Sequence, residues 1–107
     1  MVTTINRTIA QSESVSSFFA VQAAVGVGLF ASIPTSCVAY LQVSPDVTSA
    51  NFMRAGKLDG TGDWTWNIGS GRKAVDLKDV ALAFPFMRLE TGVIQANVAS
   101  LSIVVKF

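Results

Sequence analysis

Apolar and polar residues alternate with a period of two through much of this chain, in short runs separated by turn-forming residues. Val38-Ala39-Tyr40-Leu41-Gln42-Val43 alternates until Ser44-Pro45-Asp46 breaks it. Asp63 to Ile68 alternates strictly, with Trp64, Trp66 and Ile68 on one face and Asp63, Thr65 and Asn67 on the other. Leu101 to Phe107 reads as a final apolar strand. Less regular runs lie between these. Val15 to Val27 predicts one or two strands, and Val27 to Ser32 a buried strand closed by Pro34. Asn51 to Ala55 predicts a short strand, Gly56 to Gly62 a loop, and Ala74 to Leu77 a short extended piece. Lys78 to Ala83 suits one helical turn. Phe84 to Glu90 is apolar on both faces, as in a central strand. About seven or eight short strands with frequent turn signals predict an all-β fold. The architecture expected is an antiparallel β-sandwich or jelly roll.

Composition adds a surface problem to that picture. Only 14% of the 107 residues are charged, and Ser14 to Pro45 carries no charge at all. A soluble domain has about 25%. A domain of ~100 residues buries only about two-thirds of its unfolded surface. Some apolar surface must then face another molecule. Self-association follows as an expectation, with a homotrimer favoured. The start of the chain, Met1 to Thr8, has few large apolar residues. It is expected to form a short extended N-terminal arm that orders only against a partner, leaving residues 9–107 as a single β-sandwich domain. The densest apolar segment, Phe18 to Ile33, is short of the ~20 residues of a bilayer-spanning helix and is interrupted by Gln22, Gly26, Gly28 and Ser32. A membrane partner is therefore not expected. Met1 to Ser17 lacks the basic and apolar regions of a signal peptide.

Candidate chemistry narrows the reading further. The formal charge is +1, and the longest basic cluster is the pair Arg72-Lys73, too little for a nucleic-acid backbone. There is no histidine, which removes the commonest general base and metal ligand. An enzyme is not expected, nor is a cofactor or a metal. The one cysteine, Cys37, excludes an intrachain disulfide and suits a small buried apolar position. Asp59-Gly60-Thr61-Gly62-Asp63 has the oxygen-and-glycine look of a calcium loop but lacks further acids, and reads as a solvated loop. Gly69-Ser70-Gly71-Arg72-Lys73 lacks the spacing and following helix of a phosphate loop, and reads as a turn. Trp64 and Trp66 suit the core or a subunit interface more than a sugar platform, and Phe18 and Phe19 are further interface or core candidates. Arg88 is expected to reach a carboxylate or carbonyls.

The order of these elements resembles a group of small tailed-phage virion proteins. The resemblance rests on Thr8-Ile9-Ala10-Gln11-Ser12-Glu13-Ser14-Val15-Ser16 and Val27-Gly28-Leu29-Phe30-Ala31-Ser32-Ile33-Pro34. It continues through Leu41-Gln42-Val43-Ser44-Pro45-Asp46, Arg72-Lys73-Ala74-Val75-Asp76-Leu77, Phe84 to Gly92 and Leu101 to Phe107. Where that group has a Gly-Gly-Thr hairpin after Ser-Pro-Asp, this chain has Val47-Thr48-Ser49-Ala50. The last two strands are similar to those of galactose-binding-like jelly rolls. The resemblance implies a virion protein without catalytic residues. Its partners would be the major capsid protein or other virion proteins, most simply as a capsid decoration or cement subunit. A tail, neck or head-fibre component, or a carbohydrate-binding module, is the alternative.

Overall fold

Alternate burial builds the molecule strand by strand. In the computed structural model, which describes residues 1–69, 71–77 and 84–107, nine strands form. They are β1 (Val2–Ile9), β2 (Phe19–Ala20), β3 (Gly26–Ile33), β4 (Cys37–Ser44), β5 (Met53–Arg54), β6 (Thr65–Ile68), β7 (Gly71–Asp76), β8 (Phe86–Thr91) and β9 (Ala99–Lys106). A 3-10 turn, Ser49–Asn51, precedes β5. The sequence-predicted helical turn at 78–83 lies outside the described residues. Among the described residues no helix is long and apolar enough to cross a membrane.

All pairings are antiparallel, and the strands form two sheets. One has the order β1-β9-β3-β7. The other has the order β2-β8-β4-β5, with β6 sharing the β5 side of β4. The chain passes repeatedly between the sheets, as in a jelly roll. Their inner faces enclose one apolar cluster. Val27, Leu29, Ala31 and Ile33 of β3 and Ala99, Leu101, Ile103 and Val105 of β9 enter it from the first sheet. Ala39, Leu41, Trp66, Ile68, Met87 and Leu89 enter from the second. The all-β sandwich expected from the alternation is the fold observed.

The first strand corrects the expectation of an arm. Val2–Ile9 is extended, but it pairs with β9 residue for residue, from Val2 opposite Lys106 to Ile9 opposite Ala99. Ile9 is fully buried and Ile5 packs against the core cluster. An edge strand needs to bury only part of one face, so two isoleucines suffice to hold a strand otherwise rich in Thr and Asn. The boundary drawn at residue 8 therefore falls inside a strand.

The region from Val15 to Val27 holds less strand than its residues suggest. Left-handed backbone occurs at Ser12 (φ 68°), ahead of it, and at Ala23 (φ 64°), within it. Between them the chain runs along β8 on irregular bonds. Ser16 N donates to Leu89 O at 2.9 Å, and Leu89 N returns a bond to the Ser16 hydroxyl at 3.0 Å. Thr91 N donates to Ser14 O at 2.8 Å. A side-chain hydroxyl has replaced a ladder carbonyl, so only Phe19–Ala20 is regular strand. At the far end of β8, Gly92 N donates to Val38 O, and a Cβ there would lie 2.8 Å from that oxygen. This close approach is why glycine occupies the position.

Removing residues 1–8 should therefore destabilise the isolated protein, because it strips one side of β9 of its partner. The melting temperature should fall by many degrees, or the cooperative transition should vanish. An unchanged melt would restore the arm.

Candidate interaction surfaces

The residues singled out in the sequence divide between the inside and the outside. Trp64 and Trp66 are each 7% exposed and belong to the core cluster, so neither presents a ring face to a sugar. Phe19 is fully buried, whereas Phe18 is 41% exposed. Phe18 packs edge-on to Phe86, with ring centroids 5.8 Å apart, and tilted to Phe52 at 6.3 Å. The structure thus separates two neighbours in sequence, one to the core and one to the surface, as strand alternation requires.

The outer face of the β2-β8-β4-β5 sheet carries a polar chain that sequence reasoning missed. Directly opposed residues share a face, so Arg88, Gln42 and Arg54 form one row and Glu90, Tyr40 and Thr65 the next. Arg54 Nη2 donates to Glu90 Oε2 at 2.6 Å and Arg54 Nε to Oε1 at 3.1 Å, a bidentate pair. Gln42 Nε2 donates to the same Oε1 at 2.7 Å, while its Oε1 accepts from Arg88 Nε. Arg88 also donates to the Ser49 hydroxyl and lies over the Phe52 ring. Of the carboxylate or carbonyls expected, Arg88 thus reaches a carbonyl, that of the Gln42 side-chain amide, and it adds a hydroxyl. Arg54 covers Tyr40, 3.7 Å from its ring centroid. No single motif announced this chain of groups. Only the register of β4 against β5 and β8 assembles it.

The bonds from Arg54 hold the Glu90 carboxyl below the usual range, with Gln42 adding to the effect against the cost of partial burial. Desolvation pushes the Cys37 thiol up, as suits an unreactive position. Asp59 is held low by bonds from the Thr61 hydroxyl and amide, the geometry of an Asx turn rather than of a cation cage. Asp63 faces Arg54 at 4.0 Å. Among the described residues no cluster of acids, Cys or His is arranged to hold a metal ion.

The outer face of the β1-β9-β3-β7 sheet is different in kind. Its rows read Val2, Lys106, Gly26, then Thr4, Val104, Gly28, Asp76, then Asn6, Ser102, Phe30, Ala74. Gly26 and Gly28 leave bare backbone between Val104 and Phe30, opening a trough of about 720 Å³. Phe30, in the segment expected to be a buried strand, is 45% exposed on its rim. The uncharged run through β3 reads from sequence as interior because nothing in it marks which face lies open.

With this geometry in view, the fold can be placed beside known ones. No protein-family model and no curated protein matches the chain. Among solved structures it is similar to YomS, a protein derived from the SPBc2 prophage. The TM-score is 0.54 at 12% identity, covering 98% of this chain and 94% of that one. It is also similar to a chain from the disulfide-linked pili of Bacillus endospore appendages. There the TM-score is 0.50 at 15% identity, covering 98% and 82%. These likenesses show a shared β-rich fold, one occurrence of which is phage-derived.

Two outcomes follow. Trp66→Ala should cost about 3–5 kcal/mol of stability, a buried aromatic lost from a packed core. A melt close to that of the unaltered chain would move Trp66 out of the core. The pH dependence has a fixed sign. Glu90 is held below its unfolded value, so its stabilising effect is present above the ordinary glutamate range and is lost as pH falls through the folded value. Urea midpoints measured from pH 7 down to about pH 3 should therefore fall less steeply for Glu90→Gln than for the unaltered chain. Equal slopes would deny the Arg54–Glu90 pair that effect.

Proposed function

We propose that this chain is a non-enzymatic phage virion protein, a capsid decoration or cement subunit that braces the shell by binding the major capsid protein. The observation that carries the reading is the outer face of the β1-β9-β3-β7 sheet. There Val2, Phe30 and Val104 and the bare backbone of two glycines lie open. Such an open, largely apolar face, lined also by Lys106 and Asp76, suits the surface of another protein. The sequence resemblance to tailed-phage virion proteins supplies the class of partner, and the fold shared with a prophage-derived protein agrees with it. A shell lattice multiplies a modest contact, because many copies bound across neighbouring capsomers act together. The one cysteine is buried, so copies would join without a disulfide.

A carbohydrate-binding reading rests on a different face. Half-exposed Phe18 and Phe86 lie beside the Arg54–Glu90–Gln42–Arg88 chain, a mixture of apolar rings and polar groups that sugars favour. Against it, Arg54 already occupies the Tyr40 ring and Arg88 the Phe52 ring.

Immunogold electron microscopy of virions carrying this gene tests the assignment. Dense labelling over the shell supports the decoration role. Label confined to the tail, neck or fibres selects the other virion position. Unlabelled virions together with clear binding on a glycan array would favour the carbohydrate reading.

A further inference from the structure

We propose that β1 is a docking edge for a second copy of this chain, the two strands pairing antiparallel about a two-fold axis at Ile5. This inference concerns the isolated protein and does not depend on its place in a virion.

The argument begins with the direction of the backbone groups. Phe107 N donates to Met1 O at 3.0 Å, which marks Met1 opposite Phe107 as a hydrogen-bonded position of the β1–β9 ladder. Such positions alternate along an antiparallel pair. In the register observed, Thr3, Ile5, Arg7 and Ile9 therefore bond to β9. Val2, Thr4, Asn6 and Thr8 direct their N–H and C=O groups to the outer edge. Arg7 agrees with this parity, because its Nη1 donates to Asn6 O at 2.9 Å, an oxygen the ladder leaves open. That oxygen keeps a second lone pair. Among the described residues no strand pairs with this edge.

The remaining edges are blunted and this one is not. At the opposite side of the same sheet, β7 carries Arg72, Lys73 and Asp76. In the other sheet, β2 and β5 are two residues each and β6, beside β5, is four. Short or charged edges are the usual means of preventing sheet-to-sheet association. β1 is eight residues long, Val-Thr-Thr-Ile-Asn-Arg-Thr-Ile, without proline. Its single charge is engaged within this chain, with Arg7 Nε donating to Phe18 O at 2.9 Å and Nη1 to the edge carbonyl of Asn6.

The strand also complements itself. Joining two free edges requires outward-facing residues to oppose one another. A two-fold at Ile5 meets that condition, setting Val2 opposite the partner's Thr8 and Thr4 opposite the partner's Asn6. Arg7 then lies opposite the partner's Thr3, so like charges do not meet. Val2, 60% exposed in the single chain, gains a neighbour. The four-stranded sheets of the two copies become one continuous sheet with both troughs on the same side.

Light scattering after size-exclusion chromatography, with charge variants, tests the pairing. The unaltered protein should have twice the 11.3 kDa chain mass. Thr4→Lys with Asn6→Lys sets lysines opposite lysines across the axis and should weaken the dimer about tenfold. Thr4→Lys with Asn6→Glu restores opposite charges at the same exposed positions and should dimerise like the unaltered chain. In parallel, Ile5→Cys should form an interchain disulfide on oxidation, because a non-hydrogen-bonded pair brings Cα atoms to about 4.5 Å. A monomer or a trimer of the unaltered protein would overturn the proposal. Equal dissociation of both charge variants would do the same.

Discussion

β9 is held from both sides, by β1 along eight opposed residues and by β3 along seven. Its four inward residues, Ala99, Leu101, Ile103 and Val105, are all buried. The rest of the sandwich depends on this doubly paired strand. It fixes the register of β1 and β3. Through β3 it fixes β7, and so decides which side chains of four strands face the core. A slip of one residue would turn Ile103 outward and Val104 inward, exchanging the two faces. The other sheet has the same logic around β4, which pairs with β8 on one side and with β5 and β6 on the other. Register on these two strands also creates both outer surfaces. The Arg54–Glu90–Gln42–Arg88 chain exists because Gln42 opposes Arg54 and Arg88 at once. The glycine trough exists because Gly28 opposes Val104 and Asp76.

How much of this was legible in the sequence depended on how sharply each strand distinguishes its faces. β4 and β6 alternate cleanly, and their positions could be read directly, whereas β9 was legible only as a final apolar strand from Leu101. β3 has small and apolar residues on both faces, so its open side was invisible. β1 presented the reverse case, with too few apolar residues to look like a strand, although two well-placed isoleucines were enough. Around Ser14 to Ser16, serine hydroxyls and carbonyls replace regular pairing, a substitution that no period can reveal. Gln95 belongs here too. It is fully buried, accepting from Thr35 N and donating to Val93 O, and it ties together loops distant in sequence. From sequence it stands in a stretch that reads only as loop.

The low charge of the chain now has a structural account. Uncharged residues fill the core and also form most of the outer face of the β1-β9-β3-β7 sheet, where Lys106, Asp76 and Arg72 are the charged exceptions. The second sheet carries its charges in mutually bonded pairs, which leaves them little reach for a new partner. The assembly proposed above would use the first sheet, its face for an apolar partner surface and its edge for another strand. The two proposed modes would not compete, because pairing along β1 leaves the trough open.

Amide hydrogen exchange resolved by residue tests the pairing on which this account rests. The amides of Thr3, Ile5, Arg7 and Ile9 should be protected to nearly the level of β9, because they bond inward. Those of Val2, Thr4, Asn6 and Thr8 should exchange quickly in dilute solution and slow as concentration rises. Uniformly fast exchange from Val2 to Thr8 at every concentration would contradict it, and would return the start of the chain to a loose arm beside a smaller sheet.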